Sequence, residues 1–142
     1  MNKPMKHSTA YWGSPDNHSD LLARILAIGP ILQANTDAND ALGELNAETF
    51  AALKPLRMSH IFAPESLGGA QMSPTRGLEL IEAITYQSGS AGSVSMVHAC
   101  IGAMSAAFLP DTAVERLFAP GTDNRFSGQG APTGMLKKVD GG

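Results

Sequence analysis

The chain has 142 residues, of which 43% are hydrophobic and 16% are charged, and its formal net charge is −3. This length and composition suit one domain with a buried core, or one domain plus part of another. A small negative charge without a basic run argues against binding of nucleic acid or of an anionic membrane. The single cysteine, Cys100, excludes an intramolecular disulfide and a cysteine-type zinc pattern. We therefore expect a protein of a reduced, cytoplasmic compartment.

The first part of the chain predicts a leader and one long helix. Residues 1–18 are polar and rich in turn formers, which is typical of a flexible leader. A helix should begin at Ser19 or Asp20, since either is a good N-cap. Pro30 has no N–H to offer the preceding turn, so we expect a kink there and a helix that reaches about Asn39.

A second helix is predicted to open at Asn46, whose side chain suits the N-cap position. Pro55 should end it early, because proline cannot continue the hydrogen-bond ladder. An apolar extended segment follows, and the glycine pair Gly68 and Gly69 predicts a turn with positive φ angles.

A third helix should start at Ser73, with Pro74 at the first helical position. It should end before Gly89, and a central helix follows almost at once. The predicted buried face of the third helix consists of Leu78, Ile81 and Ile84.

The central helix is predicted from an uncharged stretch, residues 90–109. Large apolar residues recur in it at the spacing of a helix that packs against other helices. They are Val94, Val97, Ile101, Met104 and Phe108. The alanines between them would let neighbouring backbones approach closely, and we expect this helix to be surrounded on most sides.

A polar stripe on the same helix allows two interpretations. It contains Ser95, His98, Gly102 and Ser105. The hydroxyls can bond to their own helix while His98 finds a partner in the core, or the stripe can face a ligand.

A membrane span is a further possibility for the whole stretch of residues 90–109, because about 20 apolar residues suffice for one. Four serines, two glycines and His98 dilute the stretch and no basic cluster flanks it, so we expect no membrane.

The sequence pattern changes from helical to strand-like near the end of the chain. A short helix should start at Pro110 and stop before Gly121. Residues 125–132 and 135–139 are predicted to form two short strands, and the dipeptide after Val139 favours a hairpin turn. Because half a hairpin is unstable alone, we expect this chain to be the beginning of a longer protein that continues into a β domain.

Common catalytic and metal-binding patterns are weak. Four histidines share no metal-ligand spacing, so we predict no metal site. His98 and Cys100 are two positions apart and should lie on different helix faces, which argues against a Cys–His nucleophile. The glycine-rich residues 127–134 precede no helix and so form no phosphate loop. They suit either a wall for a flat cofactor or a bulge at a domain junction.

The order of these features resembles a known family. The chain is similar in this order to the N-terminal part of the acyl-CoA dehydrogenase superfamily. The features are two helices, residues 64–69 (PESLGG), a helix, residues 89–92 (GSAG) at the start of a helix of small residues, and then residues 131–134 (APTG) and 139–142 (VDGG). Within it, the chain most resembles the two-component flavin-dependent monooxygenases that hydroxylate aromatic compounds. The resemblance covers about residues 19–142, and the order and spacing of short motifs carry it.

The resemblance implies the fold and the cofactor. The chain would be mainly α, with a leader (1–18), the helical N-terminal domain of the acyl-CoA dehydrogenase fold (19–121) and the first strands of a truncated β domain (122–142). Flavin, either FAD or FMN, would lie against Ser127, Gln129 and Gly130. Ser93, Met96 and Val97 would wall the substrate pocket.

The resemblance also implies a function. It is the N-terminal portion of an oxidoreductase that uses reduced flavin and O2 to hydroxylate an aromatic substrate, with a flavin reductase as partner and a homo-oligomeric, in relatives tetrameric, assembly. One alternative is an acyl-CoA dehydrogenase that oxidises the Cα–Cβ bond of an acyl thioester. The dehydrogenase carboxylate belongs to a C-terminal bundle, so no catalytic residue is assigned. A non-catalytic helical binding module is the alternative from another class.

Overall fold

The computed structural model describes residues 17–122, 124–128, 134–135, 137 and 139–140. Short 3-10 turns at Lys54–Leu56, Met58–His60 and Glu65–Leu67 connect the helices. The helices of the described residues are α1 (Asn17–Ala34), α2 (Thr36–Leu42), α3 (Ala47–Leu53), α4 (Pro74–Gln87), α5 (Gly89–Phe108) and α6 (Asp111–Leu117). The predicted mainly α class is confirmed.

Helix α1 differs from the prediction in both its bounds and its continuity. It already includes Asn17, and His18 Nε2 lies 2.9 Å from Glu79 Oε2 of α4. Pro30 lies inside the helix, and the chain breaks only at Asn35. Pro30 is exposed, and the helix continues past it although the proline has no N–H to donate to the preceding turn.

The starts of α3 and α4 agree with the predictions from the sequence. Asn46 caps α3, because its side chain accepts a hydrogen bond from the Thr49 N–H at 2.9 Å. A buried pair supports this corner, in which Asn39 Nδ2 donates to Thr49 Oγ1 at 3.1 Å. Pro74 opens α4 as predicted. The inward face of α4 uses Leu80 in place of the predicted Leu78, which is exposed.

The glycine pair between α3 and α4 serves two purposes. Gly68 has φ +71°, the left-handed conformation predicted for it. Gly69 is needed for space, since a Cβ there would lie 2.0 Å from the carbonyl oxygen of Ala63. The loop therefore folds tightly back on itself, and Met72 N–H donates to Ile61 O at 2.9 Å.

The predicted seam of α5 is wrong, because small residues form its buried face. Those residues are Ala91, Gly92, Ser95, Ala99 and Gly102. A Cβ on Gly92 would lie 2.1 Å from Thr85 Oγ1 of α4, and a Cβ on Gly102 would lie 2.1 Å from Ser59 O. The small face lets α5 approach α4 and the turn at Met58–His60 more closely than larger residues would allow.

Three of the larger apolar residues of α5 consequently point away from the core, whereas Ile101 packs against the cluster that contains Phe118 and Phe126. Met96, Met104 and Phe108 are exposed by 43%, 54% and 79%, and Cys100 is exposed on the same side. Within the described residues, α5 is the one helix long and apolar enough to cross a membrane by length and composition, and 28% of that stretch is buried. The expectation that helices surround α5 on most sides is therefore wrong for the described residues.

Two apolar clusters form the core. The larger one joins α1, α3, α4 and α5 through residues such as Ile25, Leu80 and Ile84. The smaller one contains Ala63, Val114, Phe118 and Phe126. Phe126 thus attaches residues 124–128 to the helices, and these residues contain no strand. A strand needs a paired neighbour, and in the described residues this segment has none; the rest of the predicted strand, residues 129–132, lies outside them.

Replacement of Gly102 by alanine should test the close approach of α5. We expect Gly102→Ala to lower the free energy of unfolding by about 1–3 kcal/mol, because the added methyl group meets a backbone carbonyl. Gly89→Ala is the matched control, since nothing lies within 4 Å of its Cβ position, and should change stability by less than about 1 kcal/mol. Urea unfolding followed by circular dichroism measures both, and equal effects would contradict the packing described here.

Candidate functional site

A cavity of about 570 Å³ lies between α3, the turns at residues 54–60, the first half of α5 and residues 121–122 and 124–125. This volume is within the range of small-molecule sites, about 300–1,000 Å³. Much of the wall is apolar. The apolar lining residues are Leu45, Phe50, Leu53, Pro55, Met58 and Val94.

The charged residues on the cavity are all basic. Lys54, Arg57 and Arg125 line it, and none of its described lining residues is Asp or Glu. Arg125 lies with its guanidinium carbon 4.3 Å from the centre of the Phe50 ring, a cation–π contact that restrains it. The described part of the wall therefore combines basic side chains with an aromatic ring.

Arg57 has an unusual backbone conformation for its residue type. Its φ and ψ angles are 47° and 50°, the left-handed region that side chains other than glycine and asparagine rarely adopt. Two hydrogen bonds hold it there: its N–H donates to Lys54 O at 3.2 Å, and its carbonyl accepts from His60 N at 2.8 Å. Such a conformation persists where the surroundings impose it, and it often occurs at functional sites.

His60 is the most buried ionisable residue on the cavity wall, with 4% of its surface exposed. Its Nδ1 lies 2.9 Å from Ser59 Oγ, and its ring packs edge-on against Phe118 with centroids 5.1 Å apart. Its Nε2 is buried and has no hydrogen-bond partner among the described residues. A buried polar atom without a partner is uncommon in folded proteins.

The polar stripe of α5 contributes two residues to the same cavity. Ser95 and His98 line it next to Val94, whereas Gly102 packs against Ser59. Both interpretations of this stripe stay predictions. Cys100 is exposed and is not among the lining residues.

Both histidines are neutral at pH 7. Burial and then the nearby positive charge of Arg57 lower the pKa of His60 to about 4. Burial, followed by the charge of Arg125, also lowers the pKa of His98 below its usual 6.5. The two imidazoles can therefore offer one donor and one acceptor each without adding charge.

Residues 121–122 and 124–125 line one side of the cavity, and hydrogen bonds fix Thr122 and Asn124 to the end of α6. Asn124 Nδ2 donates to Leu117 O at 2.6 Å, and Thr122 Oγ1 donates to Ala119 O at 2.8 Å. Phe126 is buried, with its ring centroid 6.1 Å from that of Phe118, and this packing fixes the chain directly after Arg125. Arg125 is thus positioned by anchored residues on both sides.

The residues implied for the substrate pocket do not line this cavity. Ser93 and Met96 are exposed and Val97 is half-buried, and none of them is among its lining residues. Successive helical residues are rotated by about 100°, so Val94, Ser95 and His98 face one way while Ser93 and Val97 face another. The N-terminal part of α5, where the substrate pocket is predicted, therefore lines the cavity, but through Val94, Ser95 and His98.

Of the residues implied for flavin, Ser127 is exposed, while Gln129 and Gly130 lie outside the described residues. Gly128 lies against α5, since a Cβ there would be 2.5 Å from Ile101 Cδ1. Its lack of a side chain is thus explained by a close approach to the helix.

Sequence reasoning missed Lys54, Arg57, Arg125 and the role of His60. These residues lie in short turns without periodicity, and they come together only because the chain returns to the same place after α6. The one local signal was the cluster of basic and polar residues next to Pro55, which includes Arg57 and His60. Among the described residues, no group of His, Cys, Asp and Glu side chains could hold a metal ion.

Comparisons of the chain with protein-family models, with curated proteins and with solved structures find no match.

The low pKa of His60 predicts that stability falls in mild acid. The unfolded state, with a pKa of about 6.5, takes up a proton before the folded state does, so stability is full above pH 6.5 and is lost as the pH falls toward about 4. We expect a loss of about 2 kcal/mol between pH 7 and pH 5 from this residue.

Urea unfolding at several pH values measures this loss. His60→Gln should remove most of the pH dependence, whereas His98→Gln should retain the part that His60 causes. An unchanged slope in His60→Gln would show that other groups cause the acid sensitivity.

Proposed function

We propose that this chain contributes the helical domain of a flavin-dependent oxidoreductase of the acyl-CoA dehydrogenase superfamily. Within that superfamily we propose the branch that hydroxylates aromatic substrates with reduced flavin and O2. We also propose a cytoplasmic location and a flavin reductase as partner, as the resemblance implies.

One observation supports this proposal more than the others. Arg125 lines the cavity and lies two positions before Ser127, the first residue implied for flavin. Phe126, between them, is buried and anchors both neighbours. A small molecule in the cavity would therefore lie close to a flavin at Ser127, as a substrate must lie close to the cofactor with which it reacts.

The described residues fit one side of a flavin site. Ser127 is exposed and has a hydroxyl that can donate to a ring nitrogen or oxygen. Gly128 lies on Ile101 and is itself exposed on its other side, so α5 supports this segment from behind. When bound, the reduced flavin would supply the activation of O2.

The chain's own residues would bind and orient the substrate. Phe50 and Val94 provide apolar surface for a ring, and neutral His60 can hold or accept a proton on its free nitrogen. Leu53 and Met58 cover the cavity from the side of the turns, which would limit the access of water to the reacting atoms.

The coding sequence downstream of Gly142 tests the proposed function. We expect an open reading frame that continues into a β domain and a C-terminal helical bundle. Aromatic pocket residues without a catalytic carboxylate in that bundle would favour the monooxygenase, and a carboxylate would favour the dehydrogenase. A stop codon at this point, together with a monomeric and cooperatively folded chain, would contradict the proposal in favour of a helical binding module.

The exposed face of α5 supports the proposed self-association. Exposed apolar patches of this kind mark contact surfaces, and here Met104 and Phe108 are more than half exposed. We expect the 142-residue chain to associate at micromolar concentration. The double variant Met104→Lys and Phe108→Lys should weaken association by at least about tenfold, because each lysine charge would be buried in the contact.

Sedimentation velocity without detergent measures this association. Leu42→Lys is the matched control, because Leu42 is 60% exposed but lies on α2, and it should sediment like the wild type. A monomeric wild-type chain, or one recovered only with membranes, would contradict self-association through this face.

A further inference from the structure

We propose that the chain before α1 packs on the outer face of α4, with Tyr11 and Trp12 against Leu78 and Tyr86. The described part of the chain begins at Asn17, so the proposed occupant is the segment that directly precedes it. Such a contact would form whether or not the chain is part of an oxidoreductase.

The outer face of α4 exposes two large apolar side chains. Leu78 is 57% exposed and Tyr86 is 86% exposed, and Glu82 between them is exposed as well. These three residues, the α4 stripe, are spaced four apart and so lie on one side of the helix. The opposite side of α4 is buried in the core through Leu80 and Ile84. The α4 stripe is therefore an apolar surface on which another segment can pack.

The start of α1 places the preceding segment beside this stripe. His18 Nε2 lies 2.9 Å from Oε2 of Glu79, the residue next to Leu78. Near the other end of both helices, Gln33 Nε2 donates to Gln87 Oε1 at 2.7 Å, so α1 and α4 run in the same direction. The chain therefore enters α1 near the end of α4 at which the stripe begins.

The segment is long enough to reach the stripe and has residues that suit a turn. Residues 13–16 (GSPD) are typical of a turn, and a turn there would fold Trp12 back along α4. The five residues from 13 to 17 can span up to about 17 Å. Leu78 and Tyr86 lie about 12 Å apart along the helix axis. Trp12 can therefore reach the stripe from the start of α1.

Aromatic side chains in the segment match the apolar part of the stripe. Tyr11 and Trp12 are adjacent, and Trp12 is the single tryptophan of the chain. Packing of these rings on Leu78 or on the Tyr86 ring would remove apolar surface of both partners from water. The indole N–H and the phenol O–H can stay in water at the edge of the contact. The segment can thus cover the stripe without leaving a buried polar group unpaired.

Charge favours this segment over a second copy of α4. Residues 1–10 contain Lys3 and Lys6 and no acidic residue, so they bring positive charge toward Glu82 in the middle of the stripe. In a two-fold contact between two copies, the two Glu82 side chains would face each other near the axis and repel. The stripe therefore suits the chain's own N-terminal segment better than a symmetric dimer.

The fluorescence of Trp12 in the full chain tests this proposal. Acrylamide should quench Trp12 less in the folded chain than in the urea-unfolded chain, because a packed ring is shielded from the quencher. Leu78→Ser and Tyr86→Ser should each weaken the packing by about fivefold, since each removes a large part of the apolar surface. The quenching constant of Trp12 should then rise toward its value in the unfolded chain.

Leu42→Ser is the matched control for these variants. Leu42 is 60% exposed, close to the value for Leu78, but lies on α2, so this variant should quench like the wild type. Glu82→Lys should weaken the packing by roughly twofold, whereas Glu115→Lys, an exposed position on α6, should have no effect. Circular dichroism shows whether each variant is folded.

Dilution separates packing within one chain from packing onto a second chain. The double variant at Met104 and Phe108, measured at several protein concentrations, should shield Trp12 as the wild type does. Equal quenching of folded and unfolded wild type, shielding that disappears on dilution, or an equal response to Leu42→Ser would overturn the proposal. An unchanged quenching constant in both serine variants of the stripe would also overturn it, because Trp12 would then be shielded elsewhere. Equal quenching in Glu82→Lys and the wild type would overturn the part assigned to the lysines.

Discussion

The close contact of α5 with its neighbours is the constraint on which the rest of the structure depends. Gly92 and Gly102 lie on the backbone or side chains of α4 and of the turn at Met58–His60 with no room for a methyl group. This contact brings the 3-10 turns against the first half of the helix. Without it, the wall that carries Arg57 and His60 would not face Ser95 and His98, and the cavity would not form.

The same contact explains why the site is polar although the helix is almost entirely apolar. A helix that buries small residues places its large apolar residues elsewhere, and here they lie on the exposed side. The remaining polar residues, Ser95 and His98, border the cavity. Burial next to Arg57 and Arg125 then lowers the pKa of both histidines, so they are neutral at pH 7.

The cavity and the exposed face of α5 lie on different sides of one helix, and they carry different parts of the functional proposal. The cavity has an apolar and aromatic wall, in which we propose that the substrate binds. The exposed face, with Met104 and Phe108, is the surface through which we propose that the chain self-associates. Both features depend on the position of α5.

The amino-acid sequence by itself determined the mainly helical class and many of the helix ends, because these depend on local chemistry. Asn46 caps α3, Pro74 opens α4, Pro55 shortens α3, and Gly68 adopts a positive φ angle, all as their residue types require. It did not determine which face of α5 is buried. Periodicity shows that a helix has two stripes, but a stripe of small residues can be preferred in the core when backbones must approach closely.

Only the tertiary structure decided the candidate site. Arg57, His60, His98 and Arg125 lie in separate turns and helices, and no local pattern connects them. They meet because α5 packs against the turn after α3 and because Phe126 brings the chain back to α6. Residues far apart in the chain can share a site only through long-range packing, which depends on the shapes of surfaces rather than on the spacing of residue types.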